Sequence, residues 1–231
     1  MNIVAITGTN GNGCTQRMMD LFLKGLGPGH TIRPFVLPKD GPPYCLGCKT
    51  CFLKDEALCP HADTVLPIWE AMLQADMLVF AYPVYALRAP AQVKALLDHL
   101  CAHWFVHRPK PAMLNKRAVI IAQAIGKLNR GAIADVSTSL KWLGVSAIRT
   151  LNIGLMEDVF WEKLSQKRRD SITRRITRLA AHCRTAKPAR VALNTRLRLQ
   201  LCKIIHRSLV KKGEPLSADD RYWVDHRIFE L

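Results

Sequence analysis

Along the first 155 residues, short and almost wholly apolar runs alternate with longer stretches in which apolar side chains recur every three or four positions. The first run, Asn2–Thr7 (NIVAIT), is rich in β-branched residues and predicts a strand, and the periodicity over residues 16–26 predicts a helix. A second strand reads over residues 31–37. Asp63 is then expected to cap a helix that runs through Ile68, Met72 and Leu73 to Ala75. Residues 77–81 (MLVFA) and 118–122 (AVIIA) have no polar side to show, as a parallel strand covered by helices on both faces should not. Helices are expected from about residue 90 to 100 and from 130 to 143, with a last short strand near 148–153. Five strands alternating with helices predict an α/β fold, a doubly wound parallel sheet. Ligands of such sheets bind beyond the carboxyl ends of the strands, where the winding reverses.

The pattern changes after residue 160. Leu164, Ile172, Ile176 and Leu179, then Leu197, Leu201, Ile204, Ile205 and Leu209, recur at helical spacing among many arginines. Two amphipathic helices separated near Pro188 are expected, and the chain divides into a domain over residues 1–160 and a basic helical extension over 161–231. The formal net charge is +16, and residues 161–212 carry 16 basic and 2 acidic side chains. Such a stripe suits polyanions, anionic lipid surfaces or an acidic protein, and it is expected to surround the approach to the functional site and steer an acidic protein partner. It has no interleaved aromatics, helix-turn-helix or zinc-finger signature, so nucleic acid is not the expected partner. The aromatic, acidic tail around Asp219-Asp220-Arg221-Tyr222-Trp223 is suited to dock back onto the body. No apolar run approaches the roughly 18 residues that span a bilayer, and the chain starts directly on a strand pattern; a cytoplasmic location is expected.

Half of the eight cysteines lie in one fifteen-residue stretch: Cys45, Cys48, Cys51 and Cys59, separated by two, two and seven residues. Two consecutive short gaps let three sulfurs converge, and the longer gap brings the fourth round. Soft thiolates favour zinc or iron–sulfur clusters over magnesium or calcium. Three closely spaced cysteines are usual in cluster-binding runs and unusual in zinc knuckles, which pair them two by two. A 4Fe-4S cluster, zinc, and plain thiols or a redox pair remain the readings of this spacing. His61, His99, His103 and His107 read as surface or packing residues, and residues 103–107 (HWFVH) as an interface, a cover for a ligand, or core.

Between the first strand and helix lies Gly8-Thr9-Asn10-Gly11-Asn12-Gly13-Cys14-Thr15. Glycines let backbone N–H groups close round an anion, and a helix N-terminus adds favourable field. The loop matches neither the dinucleotide nor the nucleoside-triphosphate pattern. A single phosphate held by amides and hydroxyls fits it.

This loop, ADMLVFAYPVY followed by AQVKALLD, and the compact cysteine set resemble, in this order, flavodoxin-like FMN proteins. The branch resembled is that of the iron–sulfur flavoproteins, kin to the NAD(P)H-dependent FMN reductases. The resemblance covers about residues 1–155. It implies FMN as cofactor, with Thr9, Asn10, Gly13, Cys14 and Thr15 as the phosphate loop. Pro83, Val84 and Tyr85 would edge the flavin ring, with Ala124, Ile125 and Gly126 in a third flavin loop and Cys45, Cys48, Cys51 and Cys59 as cluster ligands. It also implies a homodimer or tetramer. Function is accordingly expected to be electron transfer between a four-iron cluster and FMN, with NAD(P)H or a ferredoxin-like protein as partner. The alternatives are an NAD(P)H-dependent FMN, quinone or nitro reductase without a cluster, and a basic nucleic-acid- or membrane-binding module.

Overall fold

The apolar runs pair into one sheet. In the computed structural model, which describes residues 1–11, 13–126, 130–184, 187–212 and 215–230, five parallel strands lie in the order β2-β1-β3-β4-β5. They are β1 (Asn2–Thr7), β2 (Thr31–Val36), β3 (Met77–Pro83), β4 (Arg117–Ala124) and β5 (Ala147–Gly154). Every residue of β3 is buried, as a central strand requires. Two strands outrun their apolar cores: the ladder continues through Pro83↔Gln123 and Ala124↔Gly154, so Gln123 and Ala124 belong to β4 and not to a loop.

Alternate strand residues feed two cores. On one face Val4, Leu78, Phe80 and Ile120 pack against α4 (Ala62–Gln74), α5 (Ala91–His99) and α6 (Arg130–Trp142) through Met72, Leu96 and Val136. On the other, Ile3, Val79 and Ile121 pack against α1 (Cys14–Leu26) and α7 (Gln166–Ala181) through Met18, Phe22, Ile172 and Ile176. Met18 and Phe22 are wholly inaccessible, each contributing about 1.5–3 kcal/mol. The sheet is thus doubly wound. The residue before α4 is His61, with no side-chain cap; Asp63 lies in the first turn, where its charge still favours the helix dipole.

The cysteine segment holds two single-turn helices, α2 (Leu37–Asp40) and α3 (Thr50–Leu53), and a 3-10 turn, Glu56–Leu58. Beyond residue 160, α7 lies directly on α1, where a Cβ built on Gly25 would meet the Ala180 Cβ at 2.8 Å. Glycine here permits an approach that no other residue does. The remaining helices, α8 (Leu193–Lys211) and α9 (Ala218–Asp225), build a third core from Phe105, Leu199, Cys202, Trp223 and Ile228. Residues 103–107 are therefore packing: His103 stacks on Trp69 with ring centroids 4.2 Å apart, and Phe105 is buried. The tail docks on the body, with Trp223 Nε1 donating to the His107 carbonyl (2.6 Å) and the Tyr222 hydroxyl to that of Pro109 (3.0 Å).

The basic stripe does not ring one end of the sheet. Arg168 donates to the Gly154 carbonyl at the carboxyl end of β5, Arg175 to that of Asn152, and Arg178 lies beside Arg149 and Leu151 further down the same strand. The chain then passes the opposite end, where the Ala189 N–H bonds to Asn115.

Gly25→Val forces α1 and α7 apart. Denaturant unfolding should show a loss of about 1–3 kcal/mol, while α8 and α9, which do not touch this contact, keep their protection from hydrogen exchange.

Candidate functional site

The three loops expected to carry function leave adjacent strands at the carboxyl edge. The Gly8 N–H bonds to the Ala81 carbonyl (2.8 Å), Val84 N–H to Gln123 (2.7 Å), and Leu155 and Met156 N–H to Ala124 and Ile125 (2.7 and 2.8 Å). These bonds extend the ladder and tie the β1, β3 and β4 loops side by side at the switch point between β1 and β3.

The first loop passes directly into α1, whose N-cap is Gly13 with no side-chain cap. Among the described residues no side chain caps the first-turn N–H groups of α1, which carry the positive end of the helix dipole. Thr9 and Asn10 lie on the accessible part of the loop, and the Thr9 hydroxyl accepts from Gly11 (3.4 Å). Cys14 is buried: desolvation, then the Glu162 and Asp158 charges, push its thiol up to about 11. Its contribution to an anion site is its backbone N–H. Thr15 is buried too, and its hydroxyl oxygen accepts from Gln123 Nε2 (3.1 Å), which leaves the hydroxyl proton to donate. Gln123 Oε1 is buried with no partner among the described residues. An orphaned acceptor beside a set of free donors fits a ligand with a phosphate and a ring N–H.

Pro83 ends β3, and Val84 leads to Tyr85, which is 54% exposed. Tyr85 and Arg88 exchange both backbone bonds (3.1 and 2.9 Å) around Ala86 and Leu87, both left-handed at φ 48° and 63°. Two non-glycine residues in that region are strained. Asp135 on α6 holds the turn, accepting from Arg88 Nη1 and from Ala89 N–H, each at 3.0 Å. Ile125 and Gly126 follow β4; Ile125 is exposed, and open space surrounds Gly126. Among the described residues, one cavity of about 390 Å³ lies between α5 and α6, lined by Lys94, Cys101 and Trp104, and another of about 350 Å³ lies along β5 near Arg149 and Arg190.

The cysteine segment turns through left-handed Gly47 and Lys49. Burial, then the neighbouring Cys59 and Cys45, raise the Cys51 thiol, and burial followed by Cys51, Asp98 and Cys45 pushes Cys101 up to about 11. Cys45 and Cys59 therefore both lie near Cys51, and Cys51 and Cys45 near Cys101. Cys48 sits on the exposed outer turn, where the Thr50 hydroxyl and N–H lower its pKa. These donors fit a soft metal centre.

Three other features carry no local signal. Cys59, His61 and His99 place one ligand atom each within 4.8 Å of one another, with Cys59 Sγ 4.0 Å from His99 Nδ1. His99 Nε2 lies 3.0 Å from the Pro43 carbonyl, so Nε2–H donates there and the Nδ1 lone pair faces the sulfur. The histidines read as packing residues are in two cases potential ligands. Arg108, 3% exposed, bonds Glu56 (2.7 Å), Asp219 (3.0 Å) and the carbonyls of Phe52 and Lys54, pinning the cysteine segment to α9. Burial alone would lower its pKa, but the Glu56 and Asp219 carboxylates hold it above the ordinary arginine value.

The family described as NADPH-dependent FMN reductase matches residues 1–155. The chain belongs to that family. An iron-sulfur flavoprotein of Archaeoglobus fulgidus is 28% identical over 129 residues, 55% of this chain and 57% of that protein. Another, from Methanosarcina thermophila, is 30% identical over 101 residues, 44% and 50% of the two chains. The chain thus matches about half the length of these curated relatives. Among solved structures, an NAD(P)H:quinone oxidoreductase from Methanothermobacter marburgensis superposes with a TM-score of 0.63 at 17% identity, over 80% of this chain and 96% of that one. An FMN-dependent NADH-azoreductase from Bacillus anthracis, in complex with FMN, gives 0.58 at 12%, over 80% and 100%. These structures share the flavodoxin-like fold.

Gln123→Leu removes both the bond to Thr15 and the orphaned acceptor. FMN affinity, read by quenching of flavin fluorescence, should fall about tenfold, the equivalent of about 1.4 kcal/mol. Arg108→Gln strands two carboxylates and should cost about 3–5 kcal/mol of unfolding free energy.

Proposed function

We propose that this FMN-dependent oxidoreductase passes electrons between FMN and a 4Fe-4S cluster held by Cys45, Cys48, Cys51 and Cys59. The observation that carries the reading is the spacing of the four cysteines, in a segment that Arg108 pins to the folded body and in which Cys45 and Cys59 both lie near enough to Cys51 to raise its thiol. Relatives named iron-sulfur flavoprotein support it. A flavin supplies hydride and one-electron chemistry, and a four-iron cluster supplies one-electron chemistry only.

The protein's part is to bind, orient and exclude water. The amides of Gly13, Cys14 and Thr15, with the Thr9 and Thr15 hydroxyls and the Asn10 side chain, serve the phosphate. Pro83, Val84 and Tyr85 edge the ring, Tyr85 as an exposed aromatic face on a turn stiffened by Asp135. Ala124, Ile125 and Gly126 border its polar side, and the Gln123 amide oxygen accepts a ring N–H. Ferredoxin-like proteins or NAD(P)H serve as donors, and the working form is a homo-oligomer.

A second reading has its own observation. The Cys59, His61 and His99 group suits a single zinc-class ion, leaving an NAD(P)H-linked reductase with no cluster. Anaerobic purification with metal analysis and visible spectroscopy decides between them. The proposal expects about four irons per chain with flavin bands, and Cys48→Ser should lose the iron but keep the flavin. One zinc per chain without iron, retained in Cys48→Ser and lost in His99→Gln, would overturn the cluster. NADPH that bleaches the flavin equally fast in both proteins would place the metal off the electron path.

A further inference from the structure

Helix α8 is amphipathic on two sides. Thr195, Leu199, Cys202 and His206 face the body, and His206 is fixed there by Asp220 (2.7 Å) and the Val106 carbonyl (3.2 Å). The opposite side carries Leu193, Leu197, Leu201, Ile204, Ile205 and Leu209, all exposed, with Leu193 at 72% and Ile204 at 65%. At 100° per residue these positions fall within one arc of about 160°, beside the buried side. From Leu193 to Leu209 the stripe is a ridge about 24 Å long. Contiguous apolar surface of this size marks an interaction site.

The charge decides what covers it. Residues 193–212 contain six basic side chains and no carboxylate. Arg196, Arg207, Lys211 and Lys212 are exposed alongside the ridge. A second copy laid helix to helix would set four exposed cations against four with no carboxylate on either α8. A convex ridge also offers a protein partner no groove to fill. An anionic bilayer surface supplies phosphates for the flanks and acyl chains for the stripe, and needs no shape complementarity. No described helix is long and apolar enough to cross a membrane, so the helix would lie in the plane of the interface.

We propose that α8 is an interfacial anchor that seats this oxidoreductase on anionic lipid surfaces, its outward leucines and isoleucines entering the headgroup boundary. The proposal is independent of the cluster and of the electron donor, since α8 lies apart from the three flavin loops and the cysteine segment.

The test is sedimentation of the FMN-loaded full chain with vesicles of phosphatidylcholine alone or with about one third phosphatidylserine, at low and physiological salt. Binding should favour the anionic vesicles at least tenfold. A double variant, Leu197→Asp with Ile204→Asp, should lower it at least tenfold while FMN content and melting temperature are retained, because both side chains are outside the core. Since acidic substitutions also cut net charge, Leu197→Gln with Ile204→Gln keeps the charge and should lose binding as well. No sedimentation with anionic vesicles at low salt overturns the proposal. So does binding unaffected by the glutamine variant, which would reduce it to diffuse charge attraction. A dimer in ultracentrifugation that the glutamine variant dissolves, with no vesicle binding, would assign the stripe to a second copy instead.

Discussion

The parallel sheet is the constraint on which everything else rests. Strands that all point one way and are buried on both faces must return through helices, so every strand-to-helix loop emerges at one edge. Because the order is β2-β1-β3-β4-β5, the chain winds in opposite senses on the two sides of the β1–β3 pair, and the loops there diverge and leave a shelf. The N-terminus of α1 opens onto that shelf with its donors uncapped. The proposed flavin site follows from topology before any side chain is chosen; in this reading Thr15, Gln123 and the Tyr85 turn refine it.

The second organising element is Arg108. A guanidinium this deeply buried is tolerable only with its charge and its donors answered, and the answer comes from two distant parts of the chain: the Glu56 carboxylate with the carbonyls of Phe52 and Lys54, and Asp219. The exposed cysteine segment, which buries few side chains of its own, is thereby held by the C-terminal tail. The tail is in turn held by Trp223 and Tyr222. Redox segment and extension are thus mechanically linked, although the matched family region ends at residue 155.

The cores of the central strands were legible because full burial on both faces leaves an unbroken apolar run, as in residues 77–81. Three strand-end loops could be placed for the same reason. Gln123 was not legible: its polarity reads as loop, whereas the ladder extends through it and turns its amide toward Thr15. Nor could Arg108 or His99 be found, since their partners lie up to 111 residues away and neither neighbourhood has a periodic signal. The helices of the extension showed their apolar spacing. What the spacing could not tell was that α7 shares the sheet's second core across Gly25 and Ala180, whereas α8 turns four of its five leucines outward. The basic stripe follows these two helices along β5 and past the opposite end of the sheet, so its place in electron delivery does not follow from charge alone.

The central claim is that FMN sits on the strand-edge shelf, with its phosphate at the start of α1. Hydrogen–deuterium exchange of the flavin-free chain, with and without added FMN, tests it most directly. The account predicts slowed exchange confined to residues 8–16, 84–85 and 123–126. Protection along the β5-edge cavity near Arg149 and Arg190, with residues 8–16 unchanged, would contradict it.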